Sequence, residues 1–210
     1  MSNFTSPPRM PAATAGARAF DAVVIGGSAG GVEVLNELIA ALPAQFAPAV
    51  VIVTHMPPDS PSYLVQTFGY RSALPVVEPD AGERIEGGRV HVAPPGYHML
   101  VESDRTVALS IEAAVRFSRP SIDVLFESAA WVYRERLLAI LLSGANDDGA
   151  LGLETVRSQG GVAWVQSPET ASSPEMPSAA IARGAVDEVL SPKTMARRLA
   201  SLPGITDSMP

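Results

Sequence analysis

Two kinds of segment alternate along most of the chain. Short runs that are almost wholly apolar are typical of strands buried on both faces of a parallel sheet. Segments whose apolar residues recur every three or four positions are typical of helices with one apolar stripe. The predicted strands lie at residues 21–25, 49–55, 136–143, 161–166 and 185–190, and the predicted helices at 32–42, 61–71, 122–133, 151–156, 177–184 and 192–202.

This alternation predicts an α/β fold with a doubly wound, mainly parallel sheet flanked by helices. Residues 21–55 read as strand, helix and strand, which is a βαβ unit with a right-handed crossover. Residues 75–109 differ, because valine-rich segments there are separated by turn residues. For that stretch we expect an antiparallel β-hairpin excursion attached to the sheet. Ser121 is placed to cap the helix that follows it.

The length of 210 residues and the 47% content of apolar residues suit one globular domain. We assign that domain to residues 21–202. Residues 1–20 are rich in serine, proline and alanine and are predicted to be a flexible N-terminal tail, and residues 203–210 a C-terminal tail. The sequence contains no internal repeat and no sign of a second domain.

Charge and cysteine content exclude several classes of function. There are 22 acidic and 15 basic residues, a net charge of −7, which argues against nucleic acid as the main partner. The absence of cysteine excludes disulfides, thiolate catalysis and cysteine-ligated zinc. The sequence has no run of about 20 apolar residues, so no membrane-spanning helix is predicted. The first residues lack the pattern of a signal peptide. We therefore predict a cytoplasmic protein.

Three loops that follow predicted strands carry residues of a hydrolytic set. The glycine-rich loop GGSAGG contains Ser28, the segment HMPP begins with His55, and the loop GANDDG contains Asp147 and Asp148. Parallel strands present their carboxyl ends at one edge of the sheet, where ligands bind. A serine hydroxyl needs a base to take its proton, an imidazole provides that base, and a carboxylate orients the imidazole. From the residues alone either aspartate could be that carboxylate.

The same loops allow other interpretations. The segment VVIGGSAGG looks like the start of a dinucleotide-binding fingerprint, but Ser28 stands where G-x-G-x-x-G has its second glycine. The second strand ends in Thr54-His55 and not in an acidic residue for a ribose hydroxyl. The histidines show no metal-ligand spacing, and two adjacent aspartates are thin evidence for a metal. We interpret His91 and His98 as structural or surface residues.

Six collinear motifs resemble the catalytic domain of the CheB-type chemotaxis methylesterases, which are protein-glutamate methylesterases. The resemblance covers about residues 20–202. The motifs are VVIGGSAGGVEVL, VIVTHMPP, DAGERIEGGRVHVAPPGYHM, SRPSIDVLFESAA, ILLSGANDDGALGL and MPSAAIARGAVDEVL. By position, the resemblance makes Ser28 the nucleophile, His55 the base and Asp148, directly before Gly149, the third member of the triad.

The resemblance also implies a substrate and partners. It implies hydrolysis of γ-glutamyl methyl esters on the cytoplasmic helices of methylated chemoreceptors, with deamidation of selected glutamines and contact with other chemotaxis signalling proteins. No cofactor is implied. Backbone N–H groups near Ala29 and Ala145 would bind the oxyanion, and Met56 and Arg119 would contact the substrate.

The chain departs from the family pattern at two loops and at its start. Residues 143–146 read SGAN where the family often has Thr-Gly-Met-Gly, and Ser118 stands where a histidine often precedes Arg-Pro. Family members usually carry an N-terminal phospho-receiver domain, and about 20 residues precede the catalytic motifs here. We therefore expect either another mode of regulation or a piece of a longer protein. A catalytically silent binding module of the same fold is the alternative hypothesis.

Overall fold

The computed structural model describes residues 18–56 and 63–202. The strands are Ala22–Gly27 (β1), Ala49–Thr54 (β2), Val76–Val77 (β3), Val90–Val92 (β4), His98–Val101 (β5), Val107–Ser110 (β6), Leu137–Leu141 (β7), Val162–Gln166 (β8) and Glu188–Leu190 (β9). The helices are Gly31–Ala41 (α1), Leu64–Gly69 (α2), Ile122–Tyr133 (α3), Ala150–Ser158 (α4), Glu175–Ala182 (α5) and Pro192–Ala200 (α6). The predicted tails lie outside the described residues, apart from 18–20.

Seven strands form one sheet in the order β3-β4-β2-β1-β7-β8-β9, and every pairing in it is parallel. The chain leaves β1 first toward β2 and later returns to β7 on the other side of β1, as a doubly wound sheet does. β5 and β6 form a separate antiparallel pair. The predicted fold class is thereby confirmed.

Two apolar cores cover the two faces of this sheet, because successive side chains of a strand point to opposite faces. Within β1, Val24 packs with α3, α4, α5 and the β5–β6 hairpin, whereas Val23 and Ile25 pack with α1, α2 and α6. Phe20 is fully buried in the second core, one residue before the predicted start of the domain. No helix in the described part of the chain is long and apolar enough to cross a membrane.

The antiparallel excursion is shorter than the stretch over which it was expected. β3 and β4 lie within residues 75–109, yet both join the parallel sheet, where β4 pairs with β2. All three residues of β4 are buried, which is the environment of a central parallel strand. Strand direction depends on how the connecting loops run, and the local pattern of turn residues does not encode it. His91 lies on β4 and His98 on β5, and both are buried.

Gly26 lets α3 lie directly on β1. A Cβ atom at this position would come within 2.2 Å of Ile122 Cγ2, at the start of α3. We expect Gly26→Ala to lower the free energy of unfolding by about 1–3 kcal/mol through overpacking. Gly69→Ala is the matched control, because its Cβ would meet nothing within 4 Å. Urea unfolding measures both variants, and equal stability of the two would contradict the predicted close packing.

Candidate active site

The ends of β1 and β2 bring two of the predicted residues side by side. Gly27 and Thr54 are register partners, and the His55 backbone N–H donates to the Gly27 carbonyl oxygen over 3.2 Å. Ser28 and His55 are therefore the next residues on adjacent strands. β7 lies on the other side of β1, and the loop that follows it carries Asp148. All three residues lie at the carboxyl edge of the sheet, where its winding reverses.

Contacts from the loop after β7 hold the turn that contains Ser28. The Ser28 N–H donates to the Ser143 carbonyl oxygen over 2.8 Å, and the Ser143 hydroxyl donates to the Ala29 carbonyl oxygen over 2.7 Å. Gly30 has a φ of 75°, in the left-handed region that favours glycine. A Cβ there would come within 2.6 Å of Ser172 Cβ. Two constraints therefore require glycine just before α1.

His55 and Asp148 are joined directly. His55 Nε2 lies 2.8 Å from Asp148 Oδ2, and the Asp148 side chain is fully buried. A carboxylate only accepts, so Nε2 carries the proton and Nδ1 is left as the basic nitrogen of the ring. The Ser28 hydroxyl makes no hydrogen bond to His55 among the described residues. The structure thus bonds the imidazole to the carboxylate and brings Ser28 beside them through strand register.

The start of α3 supplies the other partners of Asp148. The Ser121 hydroxyl donates to Oδ1 over 2.9 Å, the Ile122 N–H to Oδ2 over 2.7 Å and the Asp123 N–H to Oδ1 over 3.0 Å. Together with His55, these groups donate four hydrogen bonds to one carboxylate. A helix N-terminus also favours a negative charge through its unpaired N–H groups and its dipole.

These bonds decide the ionisation of Asp148. Burial alone would raise its pKa, but the hydrogen bonds from His55 and from the Asp123 and Ile122 N–H groups outweigh burial and lower the pKa. The neighbouring Asp123 behaves in the opposite way, since burial and the Asp148 charge raise its pKa against the opposing bonds from Gly152 and Arg116. Asp148 is therefore the carboxylate that is ionised beside the histidine.

Comparison with known proteins identifies the family. A family model described as CheB methylesterase matches residues 23–199. The chain belongs to the CheB methylesterase family. A crystal structure of the Thermotoga maritima CheB methylesterase catalytic domain is similar with a TM-score of 0.83 and 31% identity, covering 89% of this chain and all of that one.

Curated relatives agree with this membership. A protein of Leptospira interrogans, provisionally named a protein-glutamate methylesterase/protein-glutamine glutaminase, is 44% identical over 172 residues, which are 82% of this chain and 89% of that protein. The protein-glutamate methylesterase/protein-glutamine glutaminase of Symbiobacterium thermophilum is 40% identical over 168 residues, which are 80% of this chain and 46% of that protein.

Two backbone donors of this CheB methylesterase-family chain, one in the loop after β1 and one in the loop after β7, have no acceptor within the described residues. Among the described residues, the N–H groups of Ala29 and Ala145 donate to no protein acceptor, whereas Gly144 N–H donates to the Ser173 carbonyl oxygen over 3.0 Å. Gly144 also lies against Ser28, since a Cβ on Gly144 would come within 3.1 Å of Ser28 Cβ. The loop after β7 thus reaches the turn that contains Ser28.

The remaining predicted residues have contacts of other kinds. Met56 is partly buried against the core that contains α1 and α2. The Arg119 guanidinium donates from Nη1 to the carbonyl oxygens of Ile111 and Glu112, over 2.8 and 2.9 Å. Within residues 18–56 and 63–202, no group of three or more histidine, aspartate or glutamate side chains comes together to hold a metal ion.

The sequence did not predict that Ser121 and His98 support Asp148. Ser121 was predicted as a helix cap, and it does accept from the Val124 N–H, but its hydroxyl also holds Asp148. His98 Nδ1 accepts from the Ser121 N–H over 3.1 Å, which makes this buried histidine a support of the same helix start. Nothing in local sequence indicated that a carboxylate from another loop would occupy the start of α3.

The lowered pKa of Asp148 predicts a pH dependence of stability. An unfolded aspartate titrates near pH 3.9, so a lower folded pKa means that ionised Asp148 stabilises the fold above about pH 5. That contribution disappears as the pH falls through the folded pKa. We expect the stability difference between the wild type and Asp148→Asn to be largest near neutral pH and to shrink toward pH 3. Urea unfolding across this range measures it, and a difference independent of pH would contradict the argument.

Proposed function

We propose that this protein is a serine hydrolase that removes methyl groups from γ-glutamyl methyl esters on the cytoplasmic helices of chemoreceptors. The observation that carries the proposal is the 2.8 Å bond between His55 and buried Asp148, beside Ser28 at the edge of a CheB methylesterase-family fold. The names of the curated relatives support the same substrate class.

Each step has a group in place. Ser28 Oγ attacks the ester carbonyl carbon while His55 Nδ1 takes its proton. The N–H groups of Ala29 and Ala145 donate to the oxyanion of the tetrahedral intermediate. The intermediate collapses to an acyl-enzyme as His55 returns the proton to the departing methoxide, which leaves as methanol. Water then attacks the acyl-enzyme with His55 as base, which frees the glutamate carboxyl group and Ser28.

Asp148 keeps His55 in the protonation state that each step requires. Its charge fixes the Nε2–H tautomer of His55 and stabilises the imidazolium that forms during each attack. Its low pKa keeps it ionised at neutral pH, and burial keeps water from weakening the interaction.

Deamidation of receptor glutamines follows from the same chemistry. Attack on a glutamine amide gives the same acyl-enzyme, with ammonia as the leaving group after protonation by His55. Both reactions end in a glutamate side chain. We propose that the reactions take place in the cytoplasm, with other chemotaxis signalling proteins as further partners, and that Met56 and Arg119 contribute to the substrate side of the site.

The test is methanol release. The purified protein is incubated with chemoreceptor cytoplasmic fragments whose glutamates carry methyl esters, and methanol and the loss of methyl mass from the receptor peptides are measured together. We expect both to appear in parallel. Neither methanol nor loss of methyl mass would favour the silent binding module, and a thermal shift with a nicotinamide dinucleotide would favour the nucleotide-binding alternative.

A further inference from the structure

A strained two-residue turn lies next to the site. The Val115 N–H donates to the Ser118 carbonyl oxygen over 3.1 Å, and the Ser118 N–H donates back to Val115 over 2.8 Å. The two residues between them, Arg116 and Phe117, have φ values of 47° and 63°. Glycine and asparagine favour both central positions of such a turn, and a bulky residue is strained there. This turn has neither.

Arg116 attaches the turn to the residues around Asp148. Its Nε donates to Asp123 Oδ2 over 3.1 Å, and its Nη1 to Asp147 Oδ2 over 2.5 Å. Asp147 directly precedes Asp148, and the Asp123 N–H donates to Asp148. The turn is therefore held at the edge of the candidate active site by ion pairs on both sides of the buried carboxylate.

Phe117 has no partner within the described chain. Its exposure of 104% is the largest of any large apolar side chain among the described residues. Ile111, which the Arg119 guanidinium holds through its carbonyl oxygen, is also exposed, at 73%. An exposed aromatic side chain contributes nothing to the core, and its backbone conformation disfavours it at this position. Strained residues of this kind cluster at functional sites.

We propose that Phe117 is a substrate-docking residue, which contacts the apolar side of the receptor helix whose glutamyl ester reaches Ser28. This inference rests on the proposed function. When a helix places one side chain in a site, the side chains three and four positions away lie on the same face of the helix. They therefore contact the residues that surround the site. An aromatic anchor beside a helix is a common source of affinity. Phe117 provides that anchor, and Arg116 holds it in place.

The experiment compares two substrates. Phe117→Ala is assayed by methanol release from the methylated receptor fragment and by hydrolysis of p-nitrophenyl acetate. This second substrate is a small ester that does not extend to Phe117. We expect kcat/KM for the receptor to fall about tenfold, mainly through KM, because loss of an aromatic anchor is commonly of that size. Hydrolysis of the small ester should be unchanged. Tyr70→Ala is the matched control, since Tyr70 is 91% exposed and lies between α2 and β3.

Phe117→Gly separates docking from a structural role. Glycine suits the left-handed backbone, so this variant should melt at the wild-type temperature or above it. Its kcat/KM for the receptor should nevertheless fall as far as that of Phe117→Ala. Phe117→Tyr, which keeps the aromatic ring, should retain most of the receptor activity.

Several outcomes would overturn the proposal. Unchanged receptor kinetics in Phe117→Ala would do so, as would a parallel loss of small-ester hydrolysis or an equal loss in Tyr70→Ala. A lower melting temperature in Phe117→Gly would assign the side chain to the fold. A wild-type protein that releases no methanol from the receptor would overturn the proposed function as well, and that result is visible before any variant is made.

Discussion

Replacing Ser28 by alanine is expected to lower kcat for methyl-ester hydrolysis by about 10⁴–10⁶, with the fold intact. The hydroxyl is the only group lost, and the proposed mechanism has no other nucleophile that forms the acyl-enzyme. The Ser28 N–H and carbonyl contacts to residues 143 and 31 are backbone contacts, so the turn keeps its geometry in the variant. Methanol release from a methylated receptor fragment measures the change.

Ser172→Ala provides the matched control for Ser28→Ala. Ser172 packs against Gly30, in the same corner of the molecule, and the proposed mechanism gives its hydroxyl no part. We expect this variant to keep near wild-type turnover. A fluorophosphonate should label the wild type and Ser172→Ala, but not Ser28→Ala. Near wild-type turnover in Ser28→Ala would remove Ser28 from the mechanism.

Asp148→Asn is expected to lower kcat by about 10³–10⁴. An amide offers one oxygen where the carboxylate offers two, so its NH₂ group would face either His55 Nε2 or the N–H groups at the start of α3. If the amide donates to His55, the ring takes the other tautomer and its basic nitrogen no longer faces the serine side. If it takes the place of Oδ1, the Asp123 N–H and the Ser121 hydroxyl lose their acceptor.

Asp147→Asn tests whether the effect belongs to the buried carboxylate. Asp147 is the adjacent, partly exposed residue, and its described ion pair is with Arg116. We expect Asp147→Asn to stay within about tenfold of the wild type, because exposed ion pairs contribute little and His55 is untouched. Circular dichroism of both variants checks the fold. If Asp147→Asn had the larger effect on kcat, the assignment of the two aspartates would have to be reversed.

The strands and helices were largely predictable because their patterns are local. Wholly apolar runs predicted β1, β2, β7 and β8, and three- to four-residue spacing predicted α1 and α3. Burial on both faces of a parallel sheet and on one face of a helix leaves those signals in any short window of sequence. Strand direction leaves no such local signal. The residues of β3 and β4 were therefore predicted from sequence as part of an antiparallel excursion.

The residues of the candidate site were predictable from sequence, but the contacts between them were not. Ser28 and His55 follow consecutive strands of one βαβ unit, so their proximity follows from topology. The choice between Asp147 and Asp148 rested on family resemblance, because the two are neighbours in one turn-forming segment. In the structure Asp148 points inward to His55 and the start of α3, whereas Asp147 points to Arg116.

The sequence by itself determined the parallel α/β architecture and the strand-end loops that carry the serine, the histidine and an aspartate. The spacing of apolar residues and the order of the elements along the chain suffice for that. Only the tertiary structure decided which nitrogen of His55 meets the carboxylate, how the start of α3 keeps Asp148 ionised, and where Phe117 is held. These depend on contacts between segments far apart in the chain, such as Asp148 with Ile122 and Arg116 with Asp147. Such contacts form only when the sheet and its helices have packed, and no local pattern records them.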